Sequence, residues 1–240
     1  MKLLRWSVRV HKWVALVVGI QIMLWIAGGL VMSAIPIEQV RGEHKVANWT
    51  VQPFDPARLI SLEAAAKAAS MERIQSGTLG HVLGKPVWRL VSEGRPLVTI
   101  DARSGEFLSP IGEAMARQIA DADYTRQAEI DRIEWVTDPP AEYGRPGPVW
   151  RVRFSDRDKT TLYIDPDRAE VLARRSSTWR FYDFFWKLHI MDYDDGADFN
   201  HPLLITASGA AVFVALSGFV LLIIKIRRTL LVWRRRRCQV

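Results

Sequence analysis

Cysteine is all but missing from this 240-residue chain, whose one thiol, Cys238, stands two residues from the end. An internal disulfide and a CxxC-type metal site are thereby excluded. No Ser/His/Asp or Cys/His set, no HExxH and no phosphate-cradling glycine loop occurs, so hydrolysis and nucleotide chemistry have no residues to carry them. Negative charge is missing from both ends: all 26 acidic residues fall between Glu38 and Asp198. Eleven of the 33 basic residues lie outside that interval, four before residue 13 and seven after residue 224. The interval itself holds 22 basic and 26 acidic residues, a net of −4 against +7 for the whole chain. The basic pI of 9.8 therefore reports two basic flanks and excludes a nucleic-acid-binding face.

Two stretches are almost free of charge. Trp13 to Ile35 follows Lys2, Arg5, Arg9 and Lys12, and 202–226 precedes Arg227, Arg228 and the run Arg234 to Arg237, with Lys225 as its one late charge. About 20 residues at 1.5 Å each cross a bilayer's hydrocarbon core, so each stretch is long enough to span. A signal peptide competes for the first, given its basic start and Ser33-Ala34, but the apolar run exceeds a signal peptide's core. Basic flanks stay cytoplasmic, which puts both termini inside and residues from about 36 to 200 outside. The expected divisions are a cytoplasmic N-terminus at 1–12, spans at 13–35 and 202–226, a linker at 36–58 and a basic tail at 227–240.

Small residues repeat along both spans, at Ala15, Gly19 and Ala27 and at Ala207, Ala211 and Ala215. They suit a close helix seam, within the chain or in a dimer. Gln21, in mid-membrane, is expected to face a partner helix, since an unsatisfied amide in lipid is costly. An aromatic ramp at 178–200 leads into the second span, with Trp179, Phe181, Phe184, Phe185 and Trp186 as expected membrane-interface anchors. The alternative is the wall of a cofactor or quinone site.

The segment between the spans repeats itself. Pro86-Val87-Trp88-Arg89 returns as Pro148-Val149-Trp150-Arg151, and Ile100-Asp101 with its turn returns as Ile164-Asp165. Each copy (59–111 and 112–177) reads as a short helix, Ser61 to Ala69 or Glu113 to Ala120, followed by antiparallel strands. The turn motif Ile100-Asp101-Ala102-Arg103-Ser104-Gly105-Glu106 resembles that of the PepSY domain, with Ala169 standing where glycine is usual in the second copy. Arg9-Val10-His11-Lys12-Trp13, Trp186-Lys187-Leu188-His189 and Leu216-Ser217-Gly218 are similar to motifs of PepSY-associated transmembrane proteins. The resemblance implies an α+β membrane protein, in which two transmembrane helices flank an extracytoplasmic tandem PepSY-like domain. It also implies a bacterial inner-membrane location.

Some relatives so implied carry heme on histidines from several helices, which makes His189, His201 and His11 the candidate ligands. His11 and the other two mark opposite membrane edges about 30 Å apart, so one heme cannot bridge them. A pair at His11 needs a second chain. An interfacial histidine bonded to lipid or backbone is the competing reading. The acidic turn of Asp192, Asp194, Asp195 and Asp198 could hold a hard cation or simply cap the second span. Two functions are therefore expected, each with the bilayer and a membrane partner or a homo-oligomer. One is an accessory or electron-transfer subunit of a respiratory or metal- or siderophore-reducing assembly; the other is a tethered module that binds or restrains an outside protein without redox chemistry.

Overall fold

The computed structural model describes residues 2–47, 53–125, 128–194 and 196–237, without the side chains of 2–8, 10, 11 and 232–237. Its contacts divide the chain into two units, Ile35–Phe181 and the combination of Met1–Ala34 with Tyr182–Val240.

The first unit to be considered is apolar. Helices α1 (Lys2–Ala34) and α6 (Pro202–Arg237) contain spans of mean hydropathy 2.3 and 2.4. Both helices outrun their apolar stretches, α1 toward the N-terminus and α6 through the basic tail, because neither flank carries a helix breaker. They pack on each other through one stripe each, while Trp13, Val17, Met23, Phe213 and Phe219 stand exposed on their outer faces. Exposed apolar faces on uncharged helices of this length match a lipid surround. On α1 the expected Ala15 and Gly19 are half-buried, but farther along the buried residue is Gly28 and not Ala27, which is exposed. Ala215 of α6 is likewise exposed, whereas Ala207 and Ala211 are half-buried on the inner stripe. One residue turns a helix by about 100°, so at Ala27 the small-residue spacing picked the neighbour of the true contact position.

The second unit contains two antiparallel sheets. Strands β1 (Ser76–Val82), β2 (Lys85–Val91) and β3 (Val98–Asp101) form one, in that order. Strands β4 (Ile130–Val136), β5 (Val149–Phe154), β6 (Thr161–Asp165) and β7 (Glu170–Arg175) form the other. Helix α2 (Ile37–Val40) opens this unit. Helix α3 (Leu62–Ala68) starts where Ser61 Oγ accepts from Ala64 N at 3.1 Å. It covers the first sheet through Ala65, Leu90 and Ile100, with Trp88 half-buried at its edge. Helix α4 (Glu113–Asp123) covers the second sheet through Ala116, Ile119 and Ala120 against Val152, Leu162 and Ile164. Val82 and Val87 of the first sheet join that same core, so the first sheet is covered on both faces near Val87.

The two sheets share a set of contacts. Trp88 pairs with Ile100 across β2 and β3, and Trp150 with Ile164 across β5 and β6. Trp88 Nε1 donates to Ile60 O at 3.1 Å and Trp150 Nε1 to Ile111 O at 2.9 Å. Ile60 N donates to Ala102 O at 2.8 Å, and Ile111 N to Pro166 O at 2.9 Å. In the turns, Asp101 Oδ1 accepts from Arg103 N and Ser104 N, and Asp165 Oδ1 from Asp167 N and Arg168 N. Gly105 and Ala169 close them with φ of +79° and +52°. The alanine accepts a left-handed conformation that glycine adopts at no steric cost, so the turn survives the substitution at the expense of some strain.

Part of the segment expected as a linker after the first span packs against the end of α4 and the loop between β5 and β6. Val46 bridges Tyr124, Ala47 N donates to Asp123 O at 2.8 Å, and Lys45 is only 4% exposed. The Lys45 ammonium meets Asp158 at 2.8 Å, Thr160 Oγ1 at 2.9 Å and Asp156 at 3.4 Å. A buried ammonium is tolerable only with such a full set of oxygen partners.

Candidate functional site

Helix α5 (Ser177–Ile190) continues from the aromatic ramp to His189. The loop after it folds back on the helix. Asp192, 6% exposed, accepts from the backbone N–H groups of Asp194, Ala197 and Asp198. Trp186 Nε1 donates to Gly196 O at 2.9 Å, and Lys187 Nζ to Asp194 O at 2.9 Å. Gly196 sits at φ +72°, a backbone conformation that favours glycine, and packs beside the Lys187 side chain. Asp192 thus organises the acidic turn as a backbone cap; Asp195 lies outside the described residues. Among the described residues no group of three or more His, Cys, Asp or Glu is placed to hold a metal.

The loop closes one side of a cleft of about 470 Å³ bounded by Trp25 of α1, Trp186 and His189 of α5, Phe199, and Leu204 and Ser208 of α6. The Trp186 and Phe199 rings meet edge-on at 5.6 Å. His189 packs directly on α1, where a Cβ on Gly28 would lie 3.4 Å from its Nδ1. Three nitrogens here are buried without a hydrogen-bond partner: His189 Nδ1, Trp25 Nε1 and, one turn deeper on α1, Gln21 Nε2. Gln21 thus faces inward, as its polarity requires, but its amide N–H₂ finds no acceptor on the neighbouring helices. No sequence pattern pointed to Gly28 or Trp25.

The other expected site residues separate. His201 caps α6, its Nδ1 accepting from Leu203 N at 3.3 Å, and it does not line the cleft. His11 lies on α1 with its side chain outside the described set, and 17 residues of helix put it about 25 Å along the axis from Gly28. Of the aromatic residues, Phe181 and Phe184 are exposed, at 52% and 62%. Phe185 and Trp186 are half-buried, and Trp179 lies under the Arg175 guanidinium, 4.2 Å from ring centre to Cζ. The ramp therefore offers two rings outward and keeps three for internal packing.

A second cleft of about 250 Å³ lies in the sheet-bearing unit, between the β1–β2 hairpin, α4 and the turn before β7. His81 lines it, its ring tilted against that of Phe54 with centroids 5.5 Å apart, and its Nε2 is buried and unpartnered. Elsewhere in this unit, Glu142 accepts from Tyr163 Oη at 2.6 Å and from Arg180 Nε at 2.8 Å. Burial pushes the Glu142 carboxyl up, but the hydrogen bonds from Arg180 and Tyr163 and the Arg180 and Arg175 charges outweigh it and hold it below its usual range. The same burial, with Glu142 as hydrogen-bond partner, pushes the Tyr163 phenol well up. These groups tie the sheet to the start of α5 and present no reactive atom.

A family model described as PepSY-associated TM region matches residues 8–239. The chain belongs to this family. No curated protein and no solved structure matches it. Membership, with two apolar helices flanking two antiparallel sheets, makes this an α+β PepSY protein with two transmembrane helices. For such a protein heme is the cofactor to test against the residues. One imidazole, His189, lines the cleft, and the other polar side chains there, Trp25, Trp186 and Ser208, are not ligands that hold a heme iron. Among the described residues no second histidine joins His189 in the cleft.

Proposed function

We propose that this PepSY-associated TM protein is an accessory subunit of a respiratory or metal-reducing assembly in the bacterial inner membrane, contacting a heme- or flavin-bearing partner. Both termini would lie in the cytoplasm, with the sheets outside as two copies of one PepSY-like unit. The cleft at His189 carries the reading. A bare tether gains nothing from burying an imidazole nitrogen and an indole N–H without partners, each of which costs about 1–3 kcal/mol. Such a cost is offset when a ligand or partner supplies the missing contacts.

The rival, a membrane-tethered module that binds an outside protein, draws on the cleft at His81 in the sheet-bearing unit. Purifying the full chain from native membranes in mild detergent, with an absorption spectrum and identification of what accompanies it, separates the two. A co-purifying membrane protein with a Soret or flavin band is expected, absent from the chain alone. Recovery with a non-redox outside protein only would give the tethered module the lead.

A further inference from the structure

The strand order β4-β5-β6-β7 puts β4 at an edge of the second sheet, and among the described residues no backbone group of 130–136 bonds outside its pairing with β5. Alternate residues of such a strand turn their N–H and C=O groups away from the sheet, where another extended chain can meet them. A bulge decides which side chains lie beside this edge. Ile130 pairs with Phe154 and Arg132 with Arg153, an advance of two residues against one, so Asp131 is extra. Ile130 and Phe154 pack into the core under α4, and the extra residue turns Arg132 to the opposite face, beside Arg151 and Arg153 of β5.

Those three guanidinium groups share one carboxylate. Arg151 Nη2 reaches Glu134 Oε1 at 2.6 Å, Arg153 Nη2 reaches it at 2.7 Å, and Arg132 Nε reaches Oε2 at 3.4 Å. Among the described residues no other carboxylate pairs with any of the three, the exposed Asp131 included, so three positive charges answer to one negative charge. Arg132 and Arg153 stay accessible, with 62% and 39% of their side-chain surface exposed. On the other face of the same edge Trp135 is 46% exposed, its ring edge-on to Trp150 at 5.2 Å. Charges and bulges also serve to blunt a sheet edge, but blunting calls neither for a large exposed ring nor for three like charges gathered on one carboxylate. A second copy pairing through β4 would bring three more guanidinium groups with only one more carboxylate. We infer that β4 is a docking edge for an extended acidic segment of a partner protein, which adds as a fifth strand, sets a carboxylate across from Arg132 within reach of Arg153, and lays an apolar side chain on Trp135. The surface goes beyond the proposed role in a redox assembly, since it fits such a segment whatever cofactor the partner carries.

The test titrates the full chain, in phosphatidylcholine nanodiscs, onto a labelled peptide of about ten residues that alternates glutamate and valine, and follows amide hydrogen exchange of 130–136 at saturation. Saturable binding of one peptide per chain, with slowed exchange in 130–136, is expected. Arg132→Gln and Trp135→Ala should each weaken binding about 5- to 10-fold, whereas Arg58→Gln, which removes a charge from an 80% exposed side chain before α3, should leave it unchanged. Methylating the peptide's backbone amides keeps its charge but blocks strand pairing, and should abolish binding, as should lysine in place of glutamate. Arg132→Gln leaves Arg151 and Arg153 on Glu134, so a thermal midpoint equal to that of the natural chain shows that lost binding is not lost folding. The inference is overturned by absence of saturable binding, by unchanged exchange in 130–136, or by affinity indifferent to both variants or to methylation. It is equally overturned by protection of 130–136 without peptide, either rising with chain concentration, which is self-pairing, or appearing in phosphatidylglycerol nanodiscs alone, which is a membrane contact.

Discussion

His189 rests against Gly28, at a point where a methyl group on the glycine would stand 3.4 Å from the imidazole Nδ1. Alanine is thus only just accommodated, while a branched residue is not. Gly28→Val should destabilise the helical unit by about 1–3 kcal/mol through overpacking, and Gly28→Ala by much less. Thermal unfolding in detergent, followed by circular dichroism, checks the ordering; equal effects would mean that the helix and the imidazole are not in contact.

Trp88 and Trp150 each donate one indole hydrogen bond to the backbone of the segment leading into their helix. Replacing either by Phe should cost about 1 kcal/mol for the bond, and replacing either by Ala about 3–5 kcal/mol. Urea unfolding of the sheet-bearing unit measures both. Similar losses at the two positions are expected if the sheets are copies of one unit; a loss at one alone would argue against that.

Lys45 joins the segment after α1 to the second sheet through oxygens of Asp156, Asp158 and Thr160. Lys45→Ala should cost about 3–5 kcal/mol, since it leaves buried carboxylate without its cation. Protease sensitivity near residue 47 should rise with it. A variant as stable and as resistant as the natural chain would show the pair to be incidental.

Acid should loosen the sheet-bearing unit. Burial raises the Asp156 carboxyl, but hydrogen bonds from Thr160 and Tyr124 and the Lys45 charge bring it below its usual range, as Arg180 and Tyr163 do for Glu142. A depressed folded value means stability that is fully present above the unfolded pKa of about 4 and is lost as pH falls through the folded value. Unfolding midpoints should thus be flat from neutral pH to about 5 and fall below about 4. In Asp156→Asn the acid-dependent part of the fall should shrink while stability at neutral pH also drops.

The proposed topology, drawn from the basic flanks of the two spans, puts Gly105 outside the cytoplasm. A periplasm-active reporter fused there should be active and a cytoplasm-active one silent. The opposite pattern would invert the proposed topology.

What the chain alone determined is what depends on short range or on bulk chemistry. Uninterrupted apolar runs in Trp13 to Ile35 and 202–226 make membrane spans by length and charge, whatever else they touch. The Asp101 and Asp165 turns follow from a carboxylate within two or three residues of the N–H groups it accepts from. Tertiary structure decided the rest. Helix rotation put Gly28 inward in place of Ala27, since neighbours on a helix differ by about 100° and small residues stood at both positions. His189 was separated from His201 because each answers a different local demand, one filling the gap over Gly28 and the other capping α6. The meeting of Trp25, His189 and Phe199 in one cleft joins residues far apart in the chain, and such contacts come from packing, which no local pattern encodes.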